Sequence, residues 1–248
     1  LFRLSQTTHR DNFCLKGGAL LYALERETSR PTLDIDLLSL KISMDKQRFD
    51  GIFREICGFL HPEDGVEFDY EKINVAEIME QRRYAGLEIK VPVSLGTMRQ
   101  MMKIDIGFGD VVTPQPDFMT YPTLLDMNAP EIKAYSRETV IAEKFEAMID
   151  LSESNSRMKD FYDIHQQLSQ KQFDPETLQS AISQTFNNRG TIVRLKHPIF
   201  EASFEDDPTR NKLWEGFLQR SKLANSVPFS EVMQCIREHL KPIYENLF

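Results

Sequence analysis

Three short stretches hold residues whose types and spacing fit metal-assisted phosphoryl chemistry: Gly17-Gly18, Asp34-Ile35-Asp36 and Asp105. In TLDIDLL, Leu33, Ile35 and Leu37 alternate with Asp34 and Asp36, so a strand here puts both carboxylates on one face and the apolar side chains on the other. Carboxylates two residues apart, joined by a third from a neighbouring strand, suit Mg2+. Two such ions about 3.5 to 4 Å apart activate an attacking hydroxyl and stabilise a leaving pyrophosphate. A glycine pair that opens a helix adds backbone N–H groups for phosphates. Taken singly, DID is a solvated acidic strand face and GG a turn. The order in which they come, glycine turn, helix, break, DxD strand and a later strand with a single Asp, is what gives the pattern specificity. Arg30 and Thr32, just before the DxD strand, are placed to touch phosphates or simply to form its turn.

The elements that must position these residues follow from periodicity. A helix is predicted over Ala19–Arg26 after the glycines, broken by Ser29-Arg30-Pro31-Thr32. Another runs from Asp45 to about Phe59, capped by Ser43, with Phe49, Ile52, Phe53 and Ile56 on its inner face. Leu87, Ile89, Val91, Val93 and Leu95 line one face of a strand, and a short connection at Gly96 leads to a partner strand with Met102, Ile104, Ile106 and Phe108 inward and Lys103 and Asp105 outward. The proline-containing segment GFGDVVTPQPDFMTYP is expected to end the sheet. Helices follow over Arg137–Leu151, Arg157–Leu168, Pro175–Phe186, Asn211–Ser221 and Ser230–Tyr244. The expected fold is thus α/β (α+β): a small mixed-sheet core over residues 1–130 and an all-helical C-terminal domain over 131–248 that contributes to the active-site cleft.

Composition narrows the classes. The chain has 248 residues, 41% hydrophobic and 27% charged, with 30 Lys+Arg against 38 Asp+Glu and a net charge of -8. That length buries a core without disulfides. Three cysteines, Cys14, Cys57 and Cys235, make no CxxC pair and fit packing roles in a reducing cytoplasm. No apolar run reaches the roughly 18 to 20 residues of a membrane span, so no membrane role is expected. The acidic balance speaks against broad nucleic-acid binding, which needs uncompensated cations. The histidines form no HExxH or nucleophile motif, and there is no GxxxxGK[ST] loop.

The arrangement resembles the DNA polymerase beta-like nucleotidyltransferase superfamily, with Leu15, Gly17-Gly18, Asp34, Asp36 and Asp105 answering its signature, although Lys16 stands between the apolar residue and the glycines. More narrowly, LKGGALLYAL, RPTLDIDLL, KIDIGFGD, ETVIAEKFEAM and RMKDFYDI, in that order across about residues 13–165, look like the AbiEii/AbiGii-type toxin family. The resemblance implies a nucleotidyltransferase core followed by a helical domain, Mg2+ and an NTP (GTP or another) as cofactor and substrate, and Asp34, Asp36 and Asp105 as metal ligands, with Asp105 also assisting the nucleophile. It further implies that Lys144 contacts the nucleotide's phosphates and that Asp160 is the last acidic motif. A toxin of a toxin–antitoxin or phage-defence pair is implied, acting on tRNA or another translation component, with a cognate antitoxin as partner. A hydroxyl residue is common at the position of Thr32, a target for an antitoxin kinase. The chain opens at Leu1 rather than Met, and an N-terminal helix of the family pattern is expected ahead of it. Two other readings stay open: transfer to a small-molecule or protein hydroxyl, and a non-catalytic nucleotide- or partner-binding module.

Some further residues carry expectations of their own. Lys144 lies at the margin of an apolar stripe of Val140, Ile141, Phe145 and Met148 and is free to snorkel. Asp160 and Asp163, three apart, repel unless Arg157, Lys159 or Lys144 intervenes. For Asp163 a surface helix of mixed charge is as good a reading as function. Residues 178–200 lack any acid but include Arg189, Arg194 and Lys196, a docking place for RNA or an acidic antitoxin, or else a solvated loop. Trp214, with Leu213, Phe217 and Leu218, reads as a helix's core stripe.

Overall fold

The structure is a computed structural model that describes residues 1–26, 29–80, 84–170, 172–223 and 227–248. The chain divides into two compact units, Leu1–Asp110 with Pro116–Tyr135, and Val111–Gln115 with Ser136–Phe248.

In the first unit the elements are α1 (Phe2–Ser5), β1 (Phe13–Lys16), α2 (Gly17–Glu25), β2 (Asp34–Ser39), α3 (Lys46–Gly58), β3 (Val66–Phe68), β4 (Asn74–Glu80), β5 (Tyr84–Leu95), β6 (Met98–Phe108), β7 (Asp117–Thr120) and β8 (Glu131–Ala134). The strands form one sheet in the order β3-β5-β6-β2-β1-β8-β7, with β4 also paired to β5. It is mixed: β2 runs parallel to β6 and β1 parallel to β8, the other pairs being antiparallel.

Register sorts the two faces. Leu15, Leu37, Ile106 and Leu87 are successive cross-strand neighbours and all are buried. One register step along, Lys16, Asp36, Asp105 and Glu88 form the corresponding row. Because side chains alternate along a strand, this second row lies on the opposite face. Four neighbouring strands thus carry a continuous apolar row on one side and a charged row on the other. Phe13, on the apolar side, meets Phe49 and Phe53 of α3 edge-on, with ring centroids 6.0 and 5.7 Å away.

Several expectations change here. The sheet does not end at the proline segment: β7 lies within it and β8 beyond it, β8 adding to β1 through the pair Leu15 and Ala134. The α3 helix is capped by Asp45, whose side chain accepts from Arg48 N at 3.0 Å, and not by Ser43. Leu33 is 90% exposed because the ladder with β6 begins only at Asp34. Leu95 is likewise exposed, standing at the hairpin turn where Gly96 takes φ +57°.

The second unit contains α4 (Arg137–Leu151), α5 (Met158–Ser169), α6 (Pro175–Arg189), α7 (Ala202–Glu205), α8 (Pro208–Ser221) and α9 (Phe229–Glu245). Side chains cap three of their starts: Ser136 on α4, Asp174 on α6 and Asp207 on α8, the last two followed by a proline that fits the first helical turn. Their apolar faces meet in a core that includes Ile141, Phe145, Phe161, Ile182, Trp214 and Ile236. Trp214 is a core residue, its indole donating to Val227 O at 2.8 Å, whereas Leu213 of the same expected stripe is exposed.

Candidate active site

The charged face of the first unit is built around the start of α2. The chain leaves β1 at Lys16 and turns at Gly17, whose φ of +67° is a conformation L side chains rarely adopt. A Cβ on Gly17 would lie 2.7 Å from the Cβ of Asp36, so the glycine lets the backbone pass directly beside that carboxylate. Gly18 answers to a different neighbour. A Cβ there would lie 2.6 Å from Thr32 Oγ1 and 2.7 Å from Thr32 Cβ. The two glycines thus fit α2 against the two ends of the Thr32–Asp36 stretch. No side chain caps α2 through a hydrogen bond, a start of the type that suits anions. Thr32 is half-buried and its hydroxyl reaches Asp34 O at 3.4 Å; the Arg30 guanidinium stands 3.5 Å from Pro31 O.

Asp34 and Asp36 are half-buried at the start of β2, and in the parallel ladder their partners are Lys103 and Asp105. Lys103 Nζ donates to Asp105 Oδ2 at 2.9 Å and lies 3.4 Å from Glu88 Oε2. Lys90 Nζ holds the other oxygen of Glu88 at 2.6 Å. Asp105 Oδ1 is buried and has no hydrogen-bond partner among the described residues. Burial pushes the Asp105 carboxyl above its usual range; the Lys103 ammonium opposes this, while the Asp36 and Asp34 charges add to it. Lys103 itself is raised to about 12, chiefly by its hydrogen bond to Asp105.

The donor set fits Mg2+. It is all oxygen, and one buried carboxylate oxygen is left without a partner. The cage is not pre-assembled: among the described residues no three His, Cys, Asp or Glu side chains are grouped closely enough to hold a metal ion. Lys103 is what stands on Asp105. Sequence reasoning placed Lys103 on this face but missed its ion pairs and missed Glu88 altogether; only the β5–β6 register, which sets Glu88 opposite Asp105, brings them in. Lys16, the departure from the superfamily signature, is the cross-strand partner of Asp36 and pairs with Asp110 at 2.9 Å.

The remaining candidates lie in the second unit. Lys144 Nζ is 2.8 Å from Asp160 Oδ1 and 2.9 Å from Asp163 Oδ2, and Arg157 Nε is 2.6 Å from Asp160 Oδ2. The predicted repulsion between the two aspartates is therefore relieved by the residues expected to do so. Asp163 does not lie on a solvated surface: its side chain is 2% exposed and that of Asp160 1%. Burial opposes ionisation of Asp160, yet Lys144 and Arg157 hold its carboxyl well below the usual carboxylate range. Within the acid-free stretch, Arg189 is engaged by Glu146 at 2.8 Å and Glu143 at 3.4 Å, which leaves Arg194 and Lys196 as its exposed cations. Residues 178–189 lie in α6, and the loop of the other reading is confined to residues 191–196, where Arg194 and Lys196 stand exposed.

Comparisons over the whole chain bear on its family and fold. A family model described as nucleotidyl transferase AbiEii toxin, type IV TA system, matches residues 1–234. Two solved structures share the fold: a candidate nucleotidyltransferase from H. pylori, 15% identical, TM-score 0.54, with 99% of this chain and 90% of that chain covered, and the JHP933 protein of Helicobacter pylori, 16% identical, TM-score 0.50, with 99% and 87% covered. No curated protein matches the chain. No described helix is long and apolar enough to cross a membrane. A model match over residues 1–234, joined to a glycine-opened helix beside an Asp-x-Asp strand, establishes that the chain belongs to the AbiEii family of nucleotidyltransferase toxins of type IV toxin–antitoxin systems.

Proposed function

We propose that the chain moves a nucleoside monophosphate from an NTP to an acceptor hydroxyl in a Mg2+-dependent reaction. The observation that carries this is the close fit of Gly17 to Asp36 beside a buried Asp105 oxygen that has no partner among the described residues. Asp34, Asp36 and Asp105 would hold Mg2+, which supplies charge neutralisation on the triphosphate and acidifies the acceptor. Backbone N–H groups of Gly17 and Gly18 at the uncapped start of α2 bind phosphate oxygens, with Arg30 and Thr32 beside them. Asp105 accepts the proton as the acceptor oxygen bonds to the α-phosphorus, the α–β phosphoanhydride bond breaks and pyrophosphate leaves. The assignment of Lys144 to the triphosphate, and of Asp160 as the last acidic motif, is carried by the family resemblance.

The acceptor we favour is tRNA or another component of translation, in keeping with a toxin, with a cognate antitoxin as the opposing partner. A cytoplasmic setting belongs to the same proposal and rests on the sequence, whose cysteines Cys14, Cys57 and Cys235 are odd in number and make no CxxC pair. The test is incubation of the purified chain with Mg2+, each labelled NTP in turn, and separate pools of tRNA, protein and metabolites. Label on tRNA that disappears in Asp36→Asn is the expected result. Label on small molecules or proteins alone would replace tRNA by that acceptor class. Nucleotide binding with no transfer to any pool would favour a binding module.

A further inference from the structure

Resting on the reading of Asp34, Asp36 and Asp105 as the carboxylates that meet Mg2+, we propose that Lys103 is an exchangeable counter-ion of that site. It holds Asp105 while the divalent cation is absent and passes to Glu88 when the cation takes Asp105.

Three observations support the exchange. Lys103 Nζ already lies between the two carboxylates, 2.9 Å from Asp105 Oδ2 and 3.4 Å from Glu88 Oε2. Glu88 and Asp105 are direct cross-strand partners, so the ammonium changes hands by rotating a flexible stem without any backbone movement. Asp105 leaves its second oxygen without a partner among the described residues, so Lys103 satisfies only half of the group that a cation would use.

Competition follows from charge alone. An ammonium and a divalent cation cannot both take full possession of one half-buried carboxylate, so each weakens the other's hold. Glu88, shared with Lys90 at 2.6 Å, offers the displaced ammonium a second anion and keeps the exchange from stranding a charge. Lys103 and Glu88 are thereby positioning residues that set how firmly the free enzyme holds metal before nucleotide arrives. Neither needs to touch the reacting atoms.

The probe is Mn2+ alone, without nucleotide, titrated into the full chain and followed by the EPR signal of free Mn2+. Asp105→Asn should abolish the site. Lys103→Met should tighten Mn2+ by about fivefold, the equivalent of losing one partly exposed competing ion pair. Glu88→Gln should weaken it by a few fold, because Lys103 then has no second anion and stays on Asp105. The double variant Lys103→Met/Glu88→Gln should match Lys103→Met; weaker binding in the double variant would make Glu88 a metal ligand and overturn the exchange. An Asp105-dependent affinity that Lys103→Met leaves unchanged or weakens overturns the role of Lys103 while the metal site stands. Mn2+ binding that is absent, or indifferent to Asp105→Asn in every variant, overturns the metal reading and the exchange together. A second readout is melting temperature, which Mn2+ should raise more in Lys103→Met than in the parent chain.

Discussion

The Asp36 side chain fills the space that a side chain on Gly17 would need. The glycine, at φ +67°, lies so near that a Cβ on it would come within 2.7 Å of the Asp36 Cβ. Gly17→Ala therefore meets two penalties: a left-handed backbone costing about 1 to 3 kcal/mol for a non-glycine residue, and displacement of a carboxylate proposed to hold metal. A shift of that kind is expected to lower nucleotidyl transfer by about two orders of magnitude, measured as initial rate at saturating NTP. Urea denaturation should show the accompanying loss of stability.

Gly18→Ala should fail for a different reason and be repairable. The three atoms nearest to its Cβ all belong to the Thr32 side chain, and no left-handed φ is involved. Adding Thr32→Gly in the same chain removes the clash, so the double variant should melt closer to the parent than Gly18→Ala does. No comparable partner substitution rescues Gly17→Ala, since the strain in its backbone remains.

The three carboxylates should share an effect on activity, and Asp105 should show the opposite sign in stability. Asp34→Asn, Asp36→Asn and Asp105→Asn are each expected to reduce transfer at least about a hundredfold. Asp105→Asn should at the same time melt higher than the parent in the absence of divalent metal at neutral pH. Its folded-state pKa is raised, first by burial and also by Asp36 and Asp34, so the ionised carboxylate is a cost to the fold above that pKa. The cost disappears as pH falls through it. The melting advantage of Asp105→Asn should accordingly shrink towards acid pH; a variant that melts lower at every pH would show that Asp105 is there to support the fold.

Lys144 is the keystone of a buried charge cluster, and its removal should cost more than the removal of either anion. Lys144→Met leaves Asp160 and Asp163, with side chains 1% and 2% exposed, without their shared cation. Stripping one partner from a buried pair costs about 3 to 5 kcal/mol, whereas Asp160→Asn leaves Lys144 still paired to Asp163. The triple neutral variant Lys144→Met/Asp160→Asn/Asp163→Asn should recover much of the loss. The pH dependence has a definite sign. Asp160 titrates below its ordinary value of about 3.9, so its stabilisation is fully present above that value and lost as pH falls through the folded pKa. The stability gap between parent and Asp160→Asn should stay flat from pH 8 to 5 and narrow only below about pH 4.

Periodicity made some of this legible and left the rest hidden. Arg137–Leu151 was legible from sequence because Val140, Ile141, Phe145 and Met148 recur at helical spacing, and all four are buried. The DxD strand was legible because β2 is polar on one face. FCLK, which forms β1, shows no alternation because Phe13, Cys14 and Leu15 are all buried, and the four-residue β7 and β8 are too short to show a period. Glu88 was invisible for another reason: only cross-strand register, a long-range property, puts it opposite Asp105. Asp163 in KDFYDI stayed open between a surface helix and function because nothing local decides which of Arg157, Lys159 and Lys144 meets it; the structure pairs it with Lys144, nineteen residues earlier on another helix.

His197 gives the helical unit a pH dependence that is independent of the carboxylate clusters. Its ring is buried, with Nε2 donating to Ile149 O at 3.1 Å and Nδ1 accepting from Ile199 N at 3.4 Å, so both nitrogens are engaged in the neutral form. Burial lowers its pKa, with Arg194 adding to the shift and the Ile149 carbonyl opposing it. The unfolded chain therefore takes up a proton near the ordinary pKa of about 6.5 while the folded chain still resists. Stability should fall as pH drops through that value and level off below the folded pKa. Urea midpoints of the parent should decline between pH 7.5 and 5.5, and His197→Asn should flatten that decline. An unchanged slope in His197→Asn would place the titration elsewhere, with the buried His165 the next residue to replace.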